Sequence, residues 1–198
     1  LGLDARPEGV GKVRVVCSAV PDCSRAASAT AASNPPWTTI PGPGAYTLSS
    51  LPGVFCHGRV DPGARALLAA LPARIAGLRV ADLGCGNGIL GVEAGLRGAS
   101  HITFTDDSLR ALASARHTWA SAVCAGVTAT FIHADAGRGL PAGEMDLVVC
   151  NPPFHQDRAQ TLHIVDAMLL ASRRLLRRGG TLLMVGNRHL QHERRAKS

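Results

Sequence analysis

Two short strings in this sequence carry residue types suited to chemistry more than to packing. The first is Asp82-Leu83-Gly84-Cys85-Gly86-Asn87-Gly88. Its alternating glycines let the backbone adopt positive φ without steric cost, so a ligand can approach the peptide units closely. The spacing is G-x-G-x-G, unlike the G-x-G-x-x-G loop that binds pyrophosphates. Acids stand downstream where strands are expected to end. Asp106 is placed to accept hydrogen bonds from both hydroxyls of a ribose, with a helix cap as the plainer reading. Asp107 either substitutes for it or caps the helix beginning at Ser108. Asp135 is the natural partner of an adenine amino group, or else a solvated turn aspartate.

The second string is Asn151-Pro152-Pro153-Phe154. Two consecutive prolines fix φ near −65° and remove two backbone donors. The neighbouring carbonyls are then free to accept, as is the Asn151 side-chain oxygen, and Phe154 offers a flat face for a base. These groups suit one task, which is to hold a planar –NH2 group with its lone pair aimed at an electrophile. Such catalysis is mostly positioning in a dry electrostatic site, with no dedicated general base. Asn151, Pro152 and Phe154 are therefore the candidate catalytic residues, and Pro153 a substrate contact. The plainer reading is a rigid turn ending a strand.

Something must bring two strings so far apart in sequence together. Asp61-Pro62 is a helix start, because Asp accepts from free N–H groups and Pro fits the first helical position. From residue 79 strand and helix patterns alternate: a strand at Arg79 to Leu83, a helix at Ile89 to Arg97, a strand at His101 to Thr105 and a helix at Ser108 to Val123. Strands at Thr128 to His133 and Met145 to Cys150 follow, then a helix from Gln160 to Arg178 stopped by Gly179-Gly180, then a fifth strand at Thr181 to Val185. This pattern predicts an α/β fold with a doubly wound, mostly parallel sheet and right-handed crossovers. The glycine loop then lies beyond the carboxyl end of the first strand of the series, where such sheets bind ligands. Residues 1–45 read as a loosely ordered arm with a short strand near Lys12 to Cys17, and residues 46–198 as one domain.

The formal net charge is +7, and Lys12 and Lys197 are the only lysines. An arginine-rich basic balance favours polyanionic partners, since the guanidinium fork matches phosphate; free use of Arg and Ala by a GC-rich genome is the alternative. Cys17, Cys23, Cys56, Cys85, Cys124 and Cys150 form no C-x-x-C pair. They read as small buried hydrophobes, and no metal site is expected. No stretch is long and apolar enough for a bilayer span. A cytoplasmic chain is the expectation.

Taken together, the two strings resemble the N-methyltransferases that act on exocyclic amines or amides. The longer runs Asn151-Pro152-Pro153-Phe154-His155-Gln156 and Val185-Gly186-Asn187-Arg188-His189-Leu190 narrow the resemblance to the guanine-N2 methyltransferases of ribosomal RNA, the family whose members modify the RNA of either the small or the large ribosomal particle. Leu51-Pro52-Gly53-Val54-Phe55 and Asp61-x-Gly63 are similar to that family's segment before the cofactor loop. The resemblance covers roughly residues 48 to 190. It implies a Rossmann-like class I fold, S-adenosylmethionine as cofactor, guanine N2 as acceptor, and ribosomal RNA or a ribosomal subunit as partner. It places the amino-acid end of the cofactor on Asp82 and the loop Gly84, Cys85, Gly86, Asn87 and Gly88, with Asp106 on its ribose and Asn151 and Phe154 at the target base. His155 then contacts RNA or caps a helix, and Arg188 binds phosphate or is a solvated arginine.

Two departures from the family stand out. Only about 45 residues precede the match, where many members carry an extra amino-terminal domain. The last two strands of the class I sheet are missing after the fifth, which predicts that the fifth strand becomes an exposed edge and that the chain is a truncated product. A protein glutamine amide or a DNA adenine is the alternative acceptor, although Tyr is commoner than Phe154 in those enzymes. A non-catalytic RNA-binding remnant is the alternative outside enzymes, and a nicotinamide dehydrogenase is disfavoured by the glycine spacing.

Overall fold

Side chains along the central strands go alternately to two different covers, and this alternation organises the molecule. The computed structural model describes residues 3–5, 13–17, 37–55, 57–122, 124–153 and 158–186. The strands are β1 (Leu3–Ala5), β2 (Val13–Cys17), β3 (Thr38–Pro41), β4 (Thr47–Ser50), β5 (Arg79–Leu83), β6 (His101–Asp106), β7 (Thr128–His133), β8 (Met145–Cys150) and β9 (Leu176–Gly186). The helices are α1 (Pro62–Ala70), α2 (Ile89–Leu96), α3 (Leu109–Ser121) and α4 (Arg158–Leu175). Val80, Phe104, Leu147, Val149 and Leu183 join Leu67 of α1, Val92 of α2 and Leu112 of α3 in one cluster. Their neighbours Ala81, Leu83, Val148, Cys150 and Leu182 join Val165, Leu169 and Leu175 of α4 in the other. Sheets covered on both faces need such continuous apolar strands.

The sheet order is β1-β2-β9-β8-β5-β6-β7. All pairs are parallel except β1 with β2. From β5 the chain winds outward through β6 to β7, then crosses back to β8 on the other side of β5 and continues to β9. This reversal is the switch point of a doubly wound sheet. The α/β class and the alternating series are as the sequence predicts.

Two expectations need correction. The strand after the last helix is not an edge: Val13–Cys17 pairs in parallel register with Leu182–Gly186, and β1 adds an antiparallel strand outside it. Its backbone groups therefore find partners from the amino-terminal arm, which relieves the open edge. The long helix also stops earlier than Arg178. It ends at Leu175, and β9 begins at once with Leu176 opposite Met145. The pairing then jumps to Leu147 opposite Thr181, so Arg177 to Gly180 bulge outward, with Gly179 at φ +82°. Arg177 forms an ion pair with Asp146 there and does not sit on a helix end. Arg174 donates to the carbonyls of Gly137 and Leu140.

A hairpin of β3 and β4 docks on α3 through hydroxyl groups. Thr118 Oγ1 accepts from Ser49 N (3.1 Å) and donates back to Ser49 O. Ser121 Oγ does the same with Thr47 N and O, and Ser114 Oγ accepts from Leu51 N (3.0 Å). Helix positions one turn apart thus meet alternate residues of a strand, and hydroxyls take the place of a neighbouring strand on that edge. The next contact carries this toward the glycine loop, where Asn87 Nδ2 donates to Ser50 Oγ (3.2 Å).

Replacing Thr118 with Val strands the buried Ser49 N–H, so a loss of about 1–3 kcal/mol in urea unfolding is expected. Ser121→Ala, at the exposed end of the ladder, should cost clearly less. Equal losses in the two variants would contradict this account of the docking.

Candidate functional site

Leu83 pairs with Cys150 in the β5–β8 register. The residues that follow them, Gly84 and Asn151, therefore leave the sheet side by side, and the two chemically distinctive strings meet at one end of it. Gly84, Gly86 and Gly88 have φ of 70°, 53° and 82°, a region that costs an L side chain energy. A Cβ on Gly88 would stand 2.9 Å from Ala115 and one on Gly84 2.9 Å from Met168, whereas one on Gly86 would meet nothing within 4 Å. Gly84 and Gly88 are thus held by packing, and Gly86 faces open space where a ligand can lie against the backbone.

The loop is tied to the next strand by a carboxylate. Asp106 Oδ2 accepts from Gly86 N (2.9 Å), and its Oδ1 accepts from Ser108 N (2.9 Å). Each oxygen keeps a further lone pair, and the residue is half-buried, so it can also receive ligand hydroxyls. Burial raises its pKa, while the Gly86 and Ser108 N–H groups oppose the rise. Asp107 is exposed, and it does not cap α3. Ser108 is the cap, with its hydroxyl accepting from Ala111 N.

Asp82 lies deeper than its neighbours. It is 1% exposed, and its Oδ2 accepts from Gly91 N (2.9 Å) in the first turn of α2. The N-cap residue of that helix is Gly88, which has no side chain to cap with; Asp82 supplies the missing acceptor from the adjacent strand. Burial pushes its carboxyl up to about 8; the Gly91 N–H opposes the rise and the Asp106 charge adds to it. Burial likewise holds the Cys85 thiol well above its usual value. Cys85, Cys124 and Cys150 are free thiols.

Asn151 is half-buried, and its Nδ2 donates to Asp61 Oδ2 (2.9 Å). Pro152 is buried and Pro153 half-buried beside it. Asn151, Asp61, Gly86, Asn87, Phe55 and Arg59 are among the residues lining a small cavity of about 40 Å³. Phe55, Arg59 and Asp61 are the residues that sequence reasoning did not assign to the site; Asp61 reads there only as a helix start. The family-like string Asp61-x-Gly63 was the available signal. Asp135 is exposed at the start of a 3-10 turn (Asp135–Gly137), beside Ala136 at φ 44°, and lines a separate groove against α4. Phe154, His155 and Arg188 lie outside the described residues.

The sequence pattern described as methyltransferase small domain matches residues 45–197. The ribosomal RNA large subunit methyltransferase G of Streptomyces griseus is 45% identical over 141 residues, covering 71% of this chain and 37% of that protein. Its namesake in Pseudomonas aeruginosa is 43% identical over 152 residues, covering 76% and 40%. The chain thus spans about two fifths of the length of the curated relatives it matches. Among solved structures, TrmN from Thermus thermophilus superposes with a TM-score of 0.56 at 26% identity, covering 77% of this chain and 47% of that one. The ribosomal protein L11 methylase of Lactobacillus delbrueckii shares the fold, with a TM-score of 0.54 at 22% identity, covering 67% and 65%.

The buried Asp82 predicts a pH effect. In the folded chain its pKa stands near 8, against an ordinary 3.8, so the native state binds the extra proton between those values. Its contribution to stability is full below the ordinary carboxylate range and is lost as pH rises through about 8. Asp82→Asn keeps the acceptor for Gly91 N and removes this titration. The melting temperature of the variant relative to wild type should climb steadily from pH 4 to pH 8; a pH-independent difference would refute the assignment.

Proposed function

The chain belongs to the methyltransferase small-domain family, and we propose that it transfers a methyl group from S-adenosylmethionine to the exocyclic N2 amine of guanine in ribosomal RNA. The observation that carries this reading is the adjacency of Gly86, open on its ligand side, and the Asn151 amide at the ends of two paired strands. Residues 46–198 form the catalytic domain in this reading, and residues 1–45 an arm whose strands extend the sheet. The cytoplasm, where ribosomal RNA is modified, is the proposed place of action.

The residues present fit the cofactor. The open side of Gly86 admits a ligand against the loop, and the half-buried Asp106 carboxylate retains lone pairs for ribose hydroxyls. In this assignment the carbonyls of the Gly84–Gly88 loop, with Cys85 and Asn87 in it, hold the ammonium end. Asp82 supports the loop from beneath by accepting from Gly91 N at the start of α2. Asp107 flanks the nucleoside end. When bound, the cofactor supplies a sulfonium methyl that is already electrophilic.

The chain then has only to place the nucleophile. Asn151 Oδ1 accepts a hydrogen bond from the guanine amine, and the carbonyls beside Pro152 and Pro153 accept the other N–H. Two acceptors fix both N–H directions and leave the nitrogen lone pair aimed across the cavity. Phe154 stacks on the base, His155 contacts its edge, and Arg188 pairs with phosphate. Once methylated, the nitrogen carries the positive charge and is strongly acidic, so its surplus proton passes to water without a dedicated base.

The test is transfer of a radiolabelled methyl group from S-adenosylmethionine into ribosomal RNA by the purified chain. Label that nuclease removes and protease does not identifies RNA as acceptor, and hydrolysis to N2-methylguanosine identifies the atom. Asn151→Ala should lower kcat on the order of 100-fold or more while S-adenosylhomocysteine still binds. Full activity in that variant, or label released by protease, would defeat the reading.

A further inference from the structure

An asparagine at an amine-binding position has a weakness, because its amide can present either an acceptor or a donor, and the two ends have nearly the same shape. Only the acceptor end, Oδ1, is useful toward an –NH2 substrate. Something in the site must choose. The structure assigns that choice to Asp61: we propose that its carboxylate is the positioning residue that locks the Asn151 amide with the acceptor end toward the substrate. The proposal rests on the reading that Asn151 receives the target amine.

Four observations support it. Asp61 Oδ2 accepts two hydrogen bonds, from Asn151 Nδ2 at 2.9 Å and from Ala64 N at 3.0 Å. A carboxylate can only accept, so a flipped amide would set oxygen against oxygen at that distance, and the Nδ2 end must face Asp61. Asp61 is 4% exposed, which keeps water from relaxing that requirement. The cap bond to Ala64 N in turn fixes the carboxylate, so the amide is referenced to the rigid start of α1. Gly63 completes the seat. A Cβ there would stand 2.6 Å from Asn151 Oδ1 and 2.7 Å from Asp61 Oδ2, so only glycine leaves room for both. Both Asp61 and Asn151 line the cavity beside Gly86, so the orientation is set where the reacting groups meet.

A helix cap alone would explain Asp61 without any role toward Asn151, and the two explanations can be separated. Ser caps a helix about as well as Asp does, but it is too short to serve Ala64 N and Asn151 together. Asn retains a carbonyl acceptor and adds a donor, so the Asn151 amide regains its freedom to flip. In the full chain, the side-chain amide signals of Asn151 are identified by their loss in Asn151→Ala. In wild type they should show one orientation with a shifted, slowly exchanging proton donated to Asp61. Asp61→Ser should move them to free-amide positions with fast exchange, and Asp61→Asn should give two populations.

In methyl transfer, kcat should fall on the order of 100-fold in Asp61→Ser and about 10-fold in Asp61→Asn, with S-adenosylhomocysteine affinity unchanged in both. Unaltered Asn151 signals and equal kcat in the folded variants would overturn the proposal and leave Asp61 as a cap. If Asp61→Ser does not fold, Asp61→Asn decides by the same two readouts. If wild type transfers no methyl to RNA, the functional reading fails instead, and the amide signals alone judge the Asp61–Asn151 lock.

Discussion

The structure depends first on the parallel pairing of β5 and β8. Both strands are buried on two faces, and their register sets Leu83 opposite Cys150. The next residue of each chain must leave the sheet at the same level, so a glycine loop and an asparagine–proline turn become neighbours without any direct attraction between them. A one-residue slip would send every side chain of one strand to the wrong cover. The apolar sets of Val80, Leu147 and Val149 on one face and of Ala81, Leu83 and Val148 on the other oppose such a slip. Burial that stabilises the core therefore also fixes the geometry of the site.

Around that junction the chain concentrates groups whose charge is expensive to bury. Asp82 and Asp106 both have raised pKa values because water is excluded. Each is nonetheless held by backbone N–H donors: Gly91 for the first, Gly86 and Ser108 for the second. The donors limit the desolvation penalty and place acceptors where α2 begins and where the glycine loop turns. The whole chain has a formal net charge of +7, and all but two of its 21 Lys and Arg residues are arginines. The molecule is basic overall, while the acids Asp61, Asp82 and Asp106 gather at the strand ends where the site lies.

The roof of the site comes from a different kind of contact. Among the described residues the β3–β4 hairpin has no sheet partner on its α3 side, and Ser114, Thr118 and Ser121 satisfy that edge with hydroxyls. From Ser50 the chain runs through Phe55 and Arg59 to Asp61, and so from the hairpin to the carboxylate that holds Asn151. At the other side of the sheet, β2 covers β9 with a parallel strand from the amino-terminal arm. The sheet position beside β9 is filled by chain that precedes the domain in sequence.

Much of this was legible in the residues alone. The short apolar runs alternating with helical patterns, the Asp61-Pro62 and Ser108 helix starts and the glycine spacing are local signals, and local signals survive in a linear string. They predict the five central strands, the α/β class and the place of Gly84 to Gly88 and Asn151. Three matters were decided by tertiary structure. Asp82 caps α2 because Gly88 cannot, and that depends on how a strand lies under a helix. Val13–Cys17 occupies the sheet position beside β9 because the edge there carried unpaired backbone groups. Asp61 reaches Asn151 across 90 residues of sequence, through a contact that exists only after α1 packs against the end of β9. Periodicity records which face of an element is buried; it holds no record of which distant side chain will meet it there, because that is settled by the packing of the assembled layers.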